Sequence, residues 1–260
     1  MRFKWPHAHA VVVVVTALVL LVGESFAQDI TSDKSSSDVL KRIHLAATVL
    51  KEVMSEPDRG IPRRTLGSAK CVAVAPSTTS GAFILGAHAA KGIAICRTGS
   101  GWSPPVPFTL SAGGFGSSIG GQAIDIILLA MNEKGVGDLL STQLKLGADV
   151  SVAAGPVGRQ AEGTTEWKRS EFLVYTRSRG LFAGVSLEGA IVRQDKEGTQ
   201  ALYGTFVPSA DILTGKIAAP SGTQEFVSTV REYADAKEGD HTGRPSHQTF
   251  TEPVWNVWTE

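Results

Sequence analysis

The sequence has no charge excess of either sign, since its 25 basic side chains balance 25 acidic ones. A protein that neutralises a phosphate backbone carries a basic footprint, so nucleic acid is excluded as a partner. Cysteine is nearly absent, with Cys71 and Cys96 alone. Two cysteines without a histidine cluster cannot supply the ligands of a structural metal site, so neither metal nor cofactor is expected. Aromatic residues make up only 7% of the chain, too few for a large aromatic core. The long apolar run, Val11–Val22, has 12 residues, short of the ~20 that a bilayer-spanning helix needs. There is no internal repeat and no long block of like charge. What is plentiful is glycine, 28 residues, which favours many turns and close backbone approaches.

The N-terminus reads as a targeting segment. Arg2 and Lys4 precede the apolar run, and Ser25-Phe26-Ala27 places small residues before Gln28, the pattern of a secretory signal peptide over residues 1–27. An uncleaved anchor is the alternative. Removal of 1–27 takes away Arg2, Lys4 and Glu24 and leaves one negative charge in excess, so attraction to an anionic surface has to come from a local patch. Residues 28–37 are polar and serine-rich, a linker, and the domain is expected over 38–235. Ser37 or Asp38 is placed to cap a helix in which Val39, Ile43, Ala46, Leu50 and Val53 recur at helical spacing. Lys41, Arg42, His44 and Lys51 lie mainly off that stripe. Such a helix either packs on the domain or lies on a membrane. Arg59–Arg64 and Lys70 follow as a basic cluster.

From Ala69 onward, short apolar runs alternate with Gly, Pro and Ser, and predict strands at Cys71–Ala75, Ala82–Leu85, Ile93–Arg97 and Phe108–Leu110. Export leaves room for a Cys71–Cys96 disulfide; buried unpaired thiols are the alternative. Trp102 either plugs the sheet or dips into a bilayer interface. Gly116-Ser117-Ser118-Ile119-Gly120 fits the form of a nucleophile elbow, but only His241 and His247 follow it, in a polar tail. No catalytic residue is therefore assigned. Ala123–Met131 reads as a buried strand whose Asp125 needs a partner, with Arg177 or Arg159 as candidates. Glu133–Leu140 predicts a short helix. Ala190–Arg193 and Thr199–Tyr203 predict a hairpin around Asp195-Lys196-Glu197-Gly198. Ser209–Leu213 reads as a helical turn and Ser221–Ala234 as a helix, followed by a polar tail, 236–260.

Between Gly147 and Ala190 three apolar segments, Val150–Ala154, Glu171–Tyr175 and Leu181–Leu187, read as half-buried strands. Gly155-Pro156-Val157-Gly158 is a shaped turn presenting Arg159, and Arg177-Ser178-Arg179-Gly180 a basic hairpin turn. These arginines either keep strand edges soluble or form a binding surface.

Leu146–Arg159 (LGADVSVAAGPVGR) and Val174–Gly189 (VYTRSRGLFAGVSLEG) resemble the SYLF domain. The resemblance continues through Ile61-Pro62, Ala69–Ser77, Phe83–Arg97, Gly101–Leu110 and Tyr203-Gly204, covering roughly residues 38–235. It implies a non-enzymatic lipid-binding module, with actin binding in yeast members, and for an exported member a bacterial periplasm or cell envelope. The expected fold is α+β: a mainly antiparallel or barrel-like sheet with an N-terminal amphipathic helix and C-terminal helices. The expected partner is an anionic phospholipid or membrane surface, bound by Lys41, Arg42, Lys51, Arg63, Arg64, Lys70, Arg159, Arg177 and Arg179, with apolar residues of the first helix inserting or opening. The competing expectation is an envelope assembly protein acting by self-association or protein binding.

Overall fold

Strands buried on both faces lose the polar alternation of a half-exposed sheet and read as continuous apolar runs. CVAVA and IDIILLA are such runs, and they lie at the centre of the sheet. The computed structural model describes residues 35–56, 60–77, 88–112, 124–139, 141, 143–158, 170–178, 181–182 and 187–236. The strands are β1 (Cys71–Ala75), β2 (His88–Thr98), β3 (Gly101–Trp102), β4 (Val106–Ala112), β5 (Ile124–Ala130), β6 (Gln143–Lys145), β7 (Val152–Ala154), β8 (Phe172–Ser178), β9 (Leu181–Phe182) and β10 (Ile191–Gln194). They form one curled sheet in the order β6-β10-β4-β2-β1-β5-β8-β7, with β3 beside β2 and β9 beside β8. The β7–β8 pair is parallel and the other strand pairs are antiparallel. The helices are α1 (35–55), α2 (Arg63–Ser68), α3 (Glu133–Leu139), α4 (Lys196–Tyr203), α5 (Ser209–Leu213) and α6 (Gln224–Ala234). The architecture is the expected α+β one.

Side-chain parity divides the core in two. Val72, Val74, Ile93, Ile95, Ile127, Leu129 and Leu173 face a layer made by α1, α2 and α6. Ala73, Ala75, Ala94, Ile126, Leu128, Phe172 and Val192 face the other side, where α3 and α5 supply Leu139, Ile212 and Leu213. Cys71 and Cys96 face each other across β1 and β2 and are joined by a disulfide on this second side.

The hairpin expected around Asp195–Gly198 is instead a strand followed by a helix. The Asp195 side chain accepts from the Gly198 N–H and caps α4, and Gly204, at φ 76°, ends it in the left-handed conformation. The residues that read as a turn were a helix start, because Asp serves both purposes. α1 is already helical at residue 35, inside the expected linker, and α6 begins at Gln224 rather than nearer Ser221. The expected strand Ala82–Leu85, the Gly113–Gly121 stretch with Ser118, the signal segment and the tail beyond residue 236 lie outside the described residues.

Candidate functional site

The apolar stripe of α1 packs inward. Val39, Ile43, Ala46, Leu50 and Val53 are buried against the sheet. Releasing a buried aliphatic side chain to water costs about 1.5–3 kcal/mol. Freeing Val39, Ile43, Leu50 and Val53 together would therefore cost an amount comparable with the net stability of a whole domain. The stripe is a packing surface, and membrane insertion by this helix does not fit the folded state.

Arg42 is buried with it, which corrects its assignment to a lipid-facing set. Its Nη1 donates to Asp195 Oδ2 at 2.9 Å, with both side chains about 5% exposed. Lys91 Nζ lies 3.6 Å from the same carboxylate oxygen. Burial pushes the Asp195 carboxyl up, but the Gly198 N–H, Arg42 and Lys91 outweigh it and leave the group below its ordinary value. Ten residues further along α1, Glu52 pairs with Arg177. Arg177 is not at a turn: it lies in β8 opposite Asp125, with Nε 3.8 Å from Asp125 Oδ2, and is half-buried. Asp125 Oδ1 also accepts from the Ser77 N–H. β10 leads into Asp195 and β8 carries Arg177; each is the second strand from opposite edges of the sheet. α1 thus crosses the sheet and is tied down near both sides by ion pairs of opposite polarity, ~15 Å apart along its axis.

The remaining basic residues fall on the outer surface of the helical layer and on its rim. Lys41 is exposed on α1. Lys51 reaches Glu225 of α6 at 3.3 Å, beside His44, which bonds the same carboxylate. Arg63 and Arg64 are exposed on α2, with the Arg63 guanidinium 5.4 Å from the Tyr233 ring centre at the far end of α6. Lys70 pairs with Glu133 at 3.0 Å. Leu40 lies against Gly222 at the start of α6 and Arg63 against its end. Lys41 and Arg63 are therefore separated by about the length of an eleven-residue helix, roughly 16 Å. That exceeds the screening length of ~8–10 Å at physiological salt. The arrangement gives several points on one broad surface, with Lys41 and Arg63 too far apart to meet on one small anion. Arg159 and Arg179 lie outside the described residues.

Trp102, for which the sequence left two readings open, is structural. Trp102 is buried, lies under the Arg97 guanidinium at 4.4 Å and donates its indole N–H to Asp235. Arg97 in turn donates to the carbonyls of Ala69 and Gly67 and to Asp235, joining α2, β2 and the end of α6. A serine, lysine and glutamate also meet: Lys134 Nζ is 2.8 Å from Glu171, whose carboxylate accepts from Ser151. Hydrogen bonds from Lys134 and Ser151 lower Glu171 to about 2, and Lys134 is raised. A carboxylate that weak and an ammonium held protonated leave Ser151 without a base, so the cluster ties β7 to β8 and α3.

Sequence reasoning missed a cleft of about 740 Å³ between β10 and the α4–α5 segment, with Lys91, Arg193, Lys196 and Phe206 on its walls. The misread hairpin hid it, because the capped start of α4 is what brings Lys196 beside Arg193. Among the described residues there is no group of three metal-ligating side chains, and no helix is long and apolar enough to cross a membrane.

The chain is similar in sequence to proteins of one known family. Residues 111–233 match the family model Ysc84, described as Las17-binding protein actin regulator. The chain is 33% identical over 203 residues to an SH3 domain-containing YSC84-like protein 1 from Xenopus laevis, covering 74% of this chain and 60% of that protein. Identity is 30% to the Homo sapiens protein of the same name, over 75% of this chain and 59% of that one. It is also 30% to Protein YSC84 of Saccharomyces cerevisiae, over 74% and 42%. The chain spans about three-fifths of the length of the vertebrate relatives it matches.

Proposed function

The chain belongs to the SYLF (Ysc84) domain family, and from that premise we propose that it is a non-catalytic binding module that engages anionic phospholipid through the outer surface of its helical layer. The family description and the relatives' names refer to binding and regulation, not to a reaction, which supports the non-catalytic part. The observation that carries the lipid part is the placement of Lys41, Arg63 and Arg64. They are exposed on two helices of one layer and too far apart for one small ligand, which suits an extended charged plane. Binding is peripheral and electrostatic, since the apolar stripe of α1 is committed to the core. Lys70 at the rim is occupied by Glu133. The buried disulfide supports export, because such bonds persist in oxidising compartments.

The test is sedimentation of the protein with phosphatidylserine-containing vesicles against phosphatidylcholine vesicles, at rising salt. Each basic residue near an anionic surface contributes about 1 kcal/mol. The triple variant Lys41→Gln, Arg63→Gln, Arg64→Gln should then bind on the order of a hundredfold more weakly and with a flatter salt dependence. Undiminished binding by that variant would remove the proposal. A second reading, protein binding as in the names of the relatives, is favoured by the family match covering 111–233, which leaves out all three residues. Co-sedimentation with actin filaments that persists in the triple variant would support it.

A further inference from the structure

The cleft beside β10 has features that core packing does not require. Phe206 is 44% exposed there, and among the described residues Val157 is the other large apolar side chain that is exposed and not at least partly buried. Lys196 Nζ lies 5.7 Å from its ring centre. Three cations come from three elements: Lys91 from β2, Arg193 from β10 and Lys196 from α4. The anions on the walls are Asp195 and Glu197. Asp195 is shared by Arg42 behind it and by Lys91 at 3.6 Å, so Arg42 and the three wall cations together exceed Asp195 and Glu197 by two positive charges. Arg193 uses Nε and one Nη2 hydrogen on Gln143 Oε1, at 3.0 and 2.6 Å. A guanidinium has five N–H donors, and this contact fixes its plane while leaving others for a ligand. The Asp195 carboxylate already occupies the Gly198 N–H at the start of α4, so the side chains, and not the helix terminus, set the preference. A volume of about 740 Å³ falls within the range of small-molecule sites.

We infer that this cleft binds a phosphomonoester group. A dianionic phosphate matches the excess of two positive charges and the fixed donor geometry of Arg193, and Phe206 offers an apolar wall to the carbon portion beside it. The same group occurs on free small molecules and on lipid headgroups. The inference is independent of the helical-layer reading, because it uses none of Lys41, Arg63 or Arg64.

Isothermal titration of the full chain with glycerol 3-phosphate, with glycerol as control, tests it. Saturable binding is expected for the phosphate alone. The double variant Arg193→Gln, Lys196→Gln should weaken it at least tenfold, and Lys41→Gln with Arg63→Gln should leave it unchanged. Circular dichroism and the urea midpoint of the double variant establish that it folds; because both side chains are exposed, it should. Competition by glycerol 3-phosphate against phosphatidic acid vesicles identifies a headgroup as the source, and saturable binding without competition identifies a free ligand. Absence of saturable binding, or equal binding by the double variant, overturns the inference.

Discussion

The two ends of α1 are held by the same kind of contact in different surroundings. Arg42 and Asp195 are both almost wholly buried. Arg177 is half-buried, but its partner Glu52 is about half exposed. In the first case water cannot replace a lost partner, so removal strands a charge in the core. In the second, solvent takes over much of the lost interaction. Burial, more than the contact itself, therefore decides which end of the helix the fold depends on.

The largest effect should follow Arg42→Ala, a loss of about 3–5 kcal/mol seen as a lower urea midpoint. Asp195→Asn keeps an acceptor for the Gly198 N–H but leaves Arg42 unpaired, and should approach the same loss. A change below about 1 kcal/mol in either would break the contrast. The disulfide gives a yardstick from the opposite face of the sheet. Its loop of 25 residues corresponds to about 3 kcal/mol by chain entropy, so Cys71→Ala with Cys96→Ala should fall between the two anchors. Free thiols by alkylation of the folded, air-exposed protein would contradict the pairing.

Arg177→Ala should cost less than Arg42→Ala, about 1–2 kcal/mol, because Asp125 also loses a neighbour. Glu52→Gln should cost under about 1 kcal/mol. Acid sharpens the comparison with the smallest signal. The Asp195 carboxyl lies below its ordinary value of 3.8 in the fold, so its pair stabilises the protein above that value and loses this as pH falls through the lower folded one. The stability gap between the parent and Arg42→Ala should narrow on acidification below about 4. A gap that widens would show that Asp195 is not the partner that matters.

Much of the fold could be read directly. The runs at Cys71–Ala75 and Ala123–Met131 were legible as buried strands because they are apolar, rich in β-branched residues and nearly unbroken, and α1 because its stripe has helical period. Asp125 was legible as a residue needing an arginine, and Arg177 meets it across the strand pair. The site was less legible. Arg42 reads like Lys41, one residue away, yet one is buried and the other exposed. On a helix, neighbours in sequence point about 100° apart, and a residue at the stripe's margin is buried only if the partner layer reaches it.

The sequence by itself determined the α+β class, the direction of the α1 stripe, the central buried strands, and the absence of a global charge to steer a partner. These follow from local periodicity and composition, which act over a few residues. Only the tertiary structure decided that Asp195 lies 153 residues from the arginine it neutralises, that Arg177 is committed to Glu52, and that Lys91, Arg193 and Lys196 share one cleft. Those outcomes depend on which strands become neighbours in the curled sheet. Strand order joins residues distant in the chain, and no local pattern records it.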